Sequence, residues 1–278
     1  MSSEIETVDF DYVRKLVRDA SGVALDDAKR YLVESRLGPI MRSHELPSLG
    51  HLVRQLRRRP REPLVTEVIE AMLTGETAFF RDVHPFDTLR DQILPELLRE
   101  PRMRPLHIWC AASSWGQEPY TIAMILAEHF PRLLAGQVRV VATDLSGKAL
   151  DRSKEGLYSA MEVSRGLPQK LQDKYFRPKD GRFQVVDKLR DMIDFRPLNL
   201  LTDPPPMGVM DIVLIRNVLV YFDGPSRERI LRKISTMMAN GGYLILGSSE
   251  AGVADPNLEQ VRFGRTLCYR RRFAFNGL

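Results

Sequence analysis

The stretch that decides the fold runs Leu106-His-Ile-Trp-Cys-Ala-Ala-Ser-Ser-Trp-Gly-Gln-Glu-Pro-Tyr-Thr121. An apolar run, Ile108, Trp109 and Cys110, stops at residues that are mostly small, and a helical pattern follows at once. That order predicts a strand, a tight turn and a helix N-terminus. Such a turn lets a ligand approach bare backbone N–H groups, and the helix dipole favours negative charge there. Two further apolar runs end in polar residues, Val141-Ala-Thr-Asp144 and Ile212-Val-Leu-Ile-Arg-Asn217. Three such ends in order predict a cofactor cleft along the carboxyl edge of a parallel sheet.

Working outward, strand and helix patterns alternate from Leu106 onward. Strands are expected at Leu106–Cys110, Val138–Thr143, Met192–Arg196, Asp211–Arg216, Tyr243–Leu246 and Arg265–Arg270. Helices are expected at Gln117–Phe130, Gly147–Gly156 and Pro225–Ala239, the last started by Pro225 and stopped by Asn240-Gly241-Gly242. Alternation of this kind predicts an α/β fold whose parallel sheet is covered on both faces. One segment breaks it. A short helix, Pro168–Tyr175, precedes Asp180-Gly181 flanked by Phe176 and by Phe183, Val185 and Val186, a hairpin signal. A small antiparallel β-subdomain is therefore expected inside the sheet domain, at about 158–191.

Residues 8–70 carry only helical patterns. Phe10, Val13 and Val17 share one face, and Gly22 breaks that helix. Asp26 can cap a second helix that meets Gly38-Pro39; Leu49, Leu52, Val53 and Leu56 form a third; Pro60 and Pro63 precede a fourth. The expected organisation is a helical domain over 1–72, a linker and lid over 73–105, and the α/β domain over 106–278. Within the linker, Phe79 and Phe80 fit packing at a core or domain interface, while the mixture of aromatic, hydroxyl and charged groups also fits a lid.

Composition narrows the function classes. The chain has 278 residues, 44% hydrophobic and 28% charged, with no apolar run of membrane-spanning length. Met-Ser-Ser-Glu-Ile-Glu-Thr at the start lacks a signal-peptide core, so a cytoplasmic location is expected. Two cysteines, Cys110 and Cys268, read as reduced core thiols, and five scattered histidines give no metal-ligand spacing. The net charge of +5 does not imply nucleic acid. Its local maximum, Arg54 to Arg61, fits a solvated helix end or a docking face for an acidic protein.

The turn after the first strand offers Ala111, Ala112, Ser113, Ser114 and Gly116 where a dinucleotide fold wants Gly-x-Gly-x-x-Gly. A cofactor without phosphates needs only small residues there. Glu118 can steady the helix N-terminus or accept a cationic ammonium. Asp144 can accept from a ribose diol or cap the next helix. Asn217 can bond a ligand or simply form a turn.

Together these residues resemble the CheR-type chemotaxis receptor methyltransferases, which methylate receptor glutamates using S-adenosylmethionine. The resemblance rests on Thr77-Ala-Phe-Phe-Arg81, Ala111-Ala-Ser-Ser-Trp-Gly-Gln-Glu-Pro-Tyr120, Ala142-Thr-Asp144, Asn199-Leu200, Arg216-Asn-Val-Leu-Val-Tyr-Phe-Asp223 and Gly247-Ser-Ser-Glu250, and covers nearly the whole chain. It implies a Rossmann-like methyltransferase domain behind an N-terminal all-α domain. It implies cofactor contacts at Thr77, Arg81, Glu118, Asp144, Asn199, Leu200, Asn217 and Val218, with Arg81 and Tyr221 beside the transferred methyl and no metal. The product would be S-adenosylhomocysteine, and the partner the cytoplasmic signalling domain of chemoreceptors, met by a monomer with no nucleic acid and no membrane insertion. A basic helix used against receptors is partly kept in Lys29, Arg30, Arg36 and Arg42, interrupted by Gly38-Pro39. Gly75 stands where the family commonly has asparagine. The hairpin turn Pro178-Lys-Asp-Gly181 is short, as in members that act without a receptor C-terminal pentapeptide. The alternatives are a methyltransferase for a nucleic acid or small molecule, and a non-catalytic cofactor-binding adaptor. Against the former, the Asn/Asp-Pro-Pro-aromatic motif of amino-directed enzymes is replaced by Arg-Asn-Val-Leu.

Overall fold

A computed structural model describes residues 6–59, 63–250, 252 and 255–273. Among these, strands form two sheets. In chain order they are β1 (Leu106–Ala111), β2 (Val138–Asp144), β3 (Leu157–Tyr158), β4 (Phe176–Lys179), β5 (Arg182–Val185), β6 (Ile193–Pro197), β7 (Met210–Ile215), β8 (Met238–Leu246), β9 (Leu258–Phe263) and β10 (Thr266–Arg271). The large sheet has the order β6-β2-β1-β7-β8-β10-β9. Neighbours from β6 to β8 are parallel, and β10 is antiparallel to both β8 and β9. The chain builds outward from β1 through β2 to β6, then restarts on the other side of β1 with β7. That reversal is the topological switch point, where an α/β sheet opens a crevice at the carboxyl ends of its strands.

The central strands are apolar because both faces are covered. Ile108, Cys110, Ile212 and Leu214 are fully buried, and every residue of β7 is buried. Asp211 is the exception in that run. Its carboxylate accepts from Arg104 at 2.7 and 2.8 Å, from Arg102 at 2.7 Å and from the His107 N–H at 2.8 Å. A carboxylate taken from water this way is tolerated only when so fully paired. It pins the amino end of β7 to β1, opposite the crevice.

Three expectations are corrected. The Asn240-Gly241-Gly242 stop lies inside β8, which begins at Met238 rather than Tyr243. Met210 pairs with Met238 and Ile212 with Tyr243, so the glycines form a bulge. Gly241 has φ 75°, and a Cβ on Gly242 would lie 2.8 Å from the Asp211 carbonyl oxygen. Strand β9 was not expected. It is a half-exposed edge strand carrying Glu259 and Arg262, so it lacks the apolar run that marks the interior strands. The third correction concerns Gly38-Pro39 in the helical unit.

The second sheet has the order β3-β5-β4 and is antiparallel. Asp180 and Gly181 have φ 48° and 71°, so the expected hairpin closes with a type I′ turn.

By its contacts the chain divides into two compact units, Met1–Thr74 with Tyr221–Ser226, and Gly75–Val220 with Arg227–Leu278. The helical unit contains α1 (Thr7–Ser21), α2 (Arg30–Ser43), α3 (Leu49–Arg58) and α4 (Pro63–Met72). Its core holds Phe10, Val13, Val17, Val33, Leu37, Leu52, Leu56 and Val68. Gly22, at φ 75°, ends α1 by donating its N–H to the Arg18 carbonyl at 2.8 Å. The Asp26 carboxylate accepts the Lys29 N–H at 3.1 Å and caps a single 3₁₀ turn that leads into α2. Helix α2 does not stop at Gly38-Pro39; Pro39 lies within it. The missing N–H is offset because Ile40 and Met41, beyond the proline, pack on the same core as Val33 and Leu37. Pro60 lies outside the described residues. The short segment Tyr221–Ser226 joins this unit through the Ala24 N–H to Tyr221 carbonyl bond at 2.9 Å, an antiparallel bridge between Val23 and Phe222, and the Arg18–Asp223 pair at 2.8 Å.

Candidate cofactor site

The turn after β1 is built from left-handed backbone at Ala112 (φ 56°), Ser114 (φ 52°) and Gly116 (φ 89°). Only Gly116 has no alternative. A Cβ there would lie 2.8 Å from the Ser153 hydroxyl and 2.9 Å from that of Tyr158. The turn's N–H groups are less bare than the sequence implies. Ser113 donates to the Thr143 carbonyl at 2.9 Å, Ser114 to Asp144 Oδ2 at 2.7 Å and Gly116 to the Ser113 carbonyl at 3.1 Å. They bind the turn to β2 and do not form a phosphate cradle.

Asp144 ends β2. Besides Ser114 it accepts the Ser146 N–H on Oδ1 at 2.9 Å. The capping role belongs to Ser146, whose hydroxyl accepts the Ala149 N–H at 3.1 Å. Asp144 is thus fixed by two backbone donors at the lip of the crevice, where ribose hydroxyls bind in sheets of this kind.

Glu118 sits in the first turn of the helix Gln117–His129, with 12% of its side chain exposed. Its Oε2 accepts from Arg216 Nη1 at 2.9 Å. Arg216 follows β7 directly, is 2% exposed, and also donates from Nη2 to the Arg81 carbonyl and to Asp82 Oδ2, both at 2.8 Å. Its guanidinium carbon lies 5.1 Å from the centre of the Phe86 ring. Burial raises the Glu118 carboxyl above its usual range, while the charges of Arg216 and Arg81 pull it back. Burial also pushes the neighbouring Cys110 thiol well up, which keeps it protonated.

The loop after β7 is held by Glu250. This buried carboxylate accepts the N–H groups of Asn217 (2.7 Å), Leu219 (2.6 Å), Val220 (3.3 Å) and Gly247 (2.8 Å). The approach is so close that a Cβ on Gly247 would lie 2.6 Å from Glu250 Oε2 and 2.8 Å from the Asn217 nitrogen. Asn217 is left-handed (φ 58°), and its side-chain Oδ1 is buried without a hydrogen-bond partner. Ser113 Oγ and Gln117 Oε1 are orphaned in the same way. Buried polar atoms are rarely left unpaired without a functional reason.

The remaining candidates lie on the same unit. Asn199 and Leu200 follow β6 and are half-buried; Asn199 Oδ1 accepts the Leu201 N–H at 3.0 Å. Val218 follows Asn217. Thr77 and Arg81 belong to a segment tied to the crevice by the Ser114 hydroxyl on the Gly75 carbonyl at 3.1 Å and by Arg216. Arg81 Nη1 donates to the Glu76 carbonyl at 2.7 Å. Gly75 is explained by Trp115. A Cβ at position 75 would lie 2.5 Å from the indole nitrogen, so any side chain there would meet this ring. Tyr221 differs from the others in belonging to the helical unit. Sequence reasoning gave no role to Arg216, Glu250, Asp82 or Trp115, although all but Asp82 lie in quoted motifs.

Residues 75–267 match the family described as CheR methyltransferase, SAM binding domain, and residues 8–73 the one described as CheR methyltransferase, all-alpha domain. The chain belongs to the CheR methyltransferase family. The chemotaxis protein methyltransferase Cher2 of Pseudomonas putida is 42% identical over 249 residues, covering 88% of this chain and 90% of that protein. Chemotaxis protein methyltransferase 1 of Pseudomonas aeruginosa is 42% identical over 249 residues (87% and 90%), and the chemotaxis protein methyltransferase of Vibrio parahaemolyticus 38% over 261 residues (92% and 94%). The CheR cofactor is S-adenosylmethionine, and the chain is a methyltransferase acting in chemotaxis. The site fits that cofactor on its own terms. The turn after β1 makes no phosphate cradle, Asp144 is fixed at a strand end, and Asn217 Oδ1 waits buried for a donor. Among the described residues no helix is long and apolar enough to cross a membrane.

Proposed function

We propose that this CheR methyltransferase methylates glutamate side chains on the cytoplasmic signalling domain of chemoreceptors, as a cytoplasmic monomer, and without docking to a receptor C-terminal pentapeptide. In this reading Thr77, Arg81, Glu118, Asp144, Asn199, Leu200, Asn217 and Val218 hold the cofactor. Arg81 and Tyr221 serve the transfer itself. Residues 1–72 form the helical domain, 73–105 the linker and lid, and 106–278 the methyltransferase domain. The observation that carries the reading is the charge arrangement around Glu118. Its Oε2 accepts from Arg216 at 2.9 Å in the first helical turn beside the crevice. Although burial raises the carboxyl, the Arg216 and Arg81 charges act against that rise, which suits an acceptor for the cofactor's ammonium group. When bound, S-adenosylmethionine supplies an electrophilic methyl on a sulfonium, and a glutamate of ordinary pKa, about 4.3, needs no base to accept it. What the chain must do is align and exclude water, which can contribute roughly 7–11 kcal/mol.

Pentapeptide independence is supported at β4, an edge strand of the small sheet. Lys179 faces Arg182 across the two-residue turn, the position of a hydrogen-bonded pair; alternation makes Arg177–Gln184 the next. The backbone nitrogen of Pro178 then points to the free edge, and it has no hydrogen to donate. A proline there removes a donor that an added peptide strand would use.

The test is methyl transfer from labelled S-adenosylmethionine to the cytoplasmic fragment of a cognate receptor. Base-labile label on glutamate is expected, at equal rates on fragments with and without their last five residues, and Arg81→Ala should abolish most of it. Alkali-stable label on nucleic acid or on lysine overturns the substrate; cofactor binding with no turnover on any receptor fragment overturns the activity.

A further inference from the structure

The segment Phe80–Val83 is strained. Phe80, Asp82 and Val83 have φ of 50°, 69° and 51°, and none is glycine. With ψ −62° at Val83 and the His84 N–H donating to the Asp82 carbonyl at 2.5 Å, residues 82–84 form the rare γ-turn with positive φ. A β-branched residue in that conformation is an outlier, and Val83 is 57% exposed, so its own packing does not hold it there. Strain of about 1–3 kcal/mol per residue persists only where surrounding contacts over-determine the backbone.

Two sets of contacts do so, one from the buried Thr266, whose hydroxyl meets His84 Nδ1 at 2.8 Å and donates to the His84 carbonyl at 3.1 Å, and one from Arg216. Its Nη2 grips the segment twice, at the Arg81 carbonyl and the Asp82 carboxylate, while Nη1 grips Glu118. Farther along, the Phe80 N–H donates to Thr121 Oγ1 at 3.1 Å, on the helix that carries Glu118. The guanidinium's planar fork can hold two partners at a fixed distance from one another; an ammonium cannot. We infer that Arg216 is a positioning residue for methyl transfer, setting the distance between the carboxylate that receives the cofactor's amino-acid end and the arginine of the strained segment beside the acceptor. This rests on the reading of Glu118 and Arg81 given above. It is distinct from that reading, because it gives Arg216 a role through other residues: its terminal nitrogens are taken up by Glu118, the Arg81 carbonyl and Asp82.

The consequence is specific. Removing the guanidinium releases the segment and also leaves Glu118 buried beside one cation fewer, so its carboxyl rises further. Cofactor binding should then weaken as pH falls. A residue that only stabilised the fold would lower both rates and melting temperature but leave the pH profile of binding unchanged.

The experiment measures S-adenosylhomocysteine affinity by calorimetry from about pH 8 to about pH 6, and kcat and KM with a receptor fragment, for the full chain and its Arg216→Lys, Arg216→Gln, Asp82→Asn, Glu118→Gln and Arg81→Ala variants. Arg216→Lys should remain folded and lose at least about tenfold in kcat, since small misplacements of aligned groups cost that much or more. Arg216→Gln should bind with a steeper loss toward acid than wild type, and adding Glu118→Gln should remove that slope. Should Arg216→Gln fail to fold, Arg216→Lys and Asp82→Asn carry the test, the latter lowering kcat with affinity retained. Unchanged kcat in both Arg216→Lys and Asp82→Asn overturns the inference even if Glu118→Gln and Arg81→Ala weaken binding. If those last two variants bind normally, the underlying reading of the site fails instead.

Discussion

Glu250 shows how one side chain can organise a binding loop without touching a ligand. Its two oxygens gather four backbone donors from both sides of the β7–β8 pair. Hydrogen bonds to a charged acceptor contribute about 1.5–3 kcal/mol each before coupling among them. Glu250→Gln keeps the shape but replaces one acceptor oxygen by an NH2 that faces N–H donors. A loss of about 2–3 kcal/mol in urea unfolding is expected, together with weaker S-adenosylhomocysteine binding, because Asn217 loses its anchor. Normal affinity in a destabilised variant would detach Asn217 from the cofactor. His107, on β1, gives the pH test. Burial and then the charge of Arg104 hold its imidazole below the ordinary value. The unfolded chain therefore binds more protons just below about pH 6.5, and stability falls as pH drops through that value toward the lowered one. His107→Gln should flatten that part of the stability–pH curve while leaving the region above it unchanged. At this scale Asp144 and Asn217 stand out as candidates because polar residues closing apolar runs mark strand ends, and Glu118 because it opens the helical pattern after the small-residue turn. Arg216 and Glu250 do not, because their partners lie 98 and 33 residues away along the chain and no local pattern encodes such pairings.

The elements divide the same way. Interior strands were legible from continuous apolar runs, and the hairpin from Asp180-Gly181. The edge strand β9 and the bulged start of β8 were not, because one is half-solvated and the other uses glycines that also signal a stop. Pro39 is the sharpest case, since a local rule says the helix ends and tertiary packing carries it on. A proline inside a helix is about 3 kcal/mol less favourable than alanine, partly offset by the greater freedom that Pro39→Ala gives the unfolded chain. Pro39→Ala should therefore stabilise the helical unit, by about 1–2 kcal/mol, read as a higher urea midpoint with an unchanged slope. A neutral or destabilising result would mean that α2 needs a bend at Ser35–Pro39 to seat Ile40 and Met41.

Across the whole molecule, two of the hydrophobic clusters among the described residues share no residue: one is built from Phe10 to Met72, the other from Phe79 to Cys268. The residues proposed to hold the cofactor fall in the unit Gly75–Val220 with Arg227–Leu278, whereas Tyr221, proposed for the transfer itself, falls with the segment Tyr221–Ser226 in the helical unit. Ligand binding stabilises whatever folded unit it requires, by about 2.7 kcal/mol at a hundredfold excess over Kd. Hydrogen exchange followed peptide by peptide should therefore show S-adenosylhomocysteine slowing exchange across β1, β2, β6, β7 and β8 and the helix Gln117–His129. Peptides from α1, α3 and α4 should be little changed. The informative region is Tyr221–Ser226, whose Tyr221 carbonyl accepts from Ala24 and whose Asp223 pairs with Arg18. If Tyr221 serves the transfer site, this segment and residues 22–24 bonded to it should gain protection with the sheet unit and not with the rest of the helices. Uniform slowing over α1–α4 would mean that the units unfold as one. No change at all in Tyr221–Ser226 would remove Tyr221 from the transfer site and leave Arg81 as its one side chain.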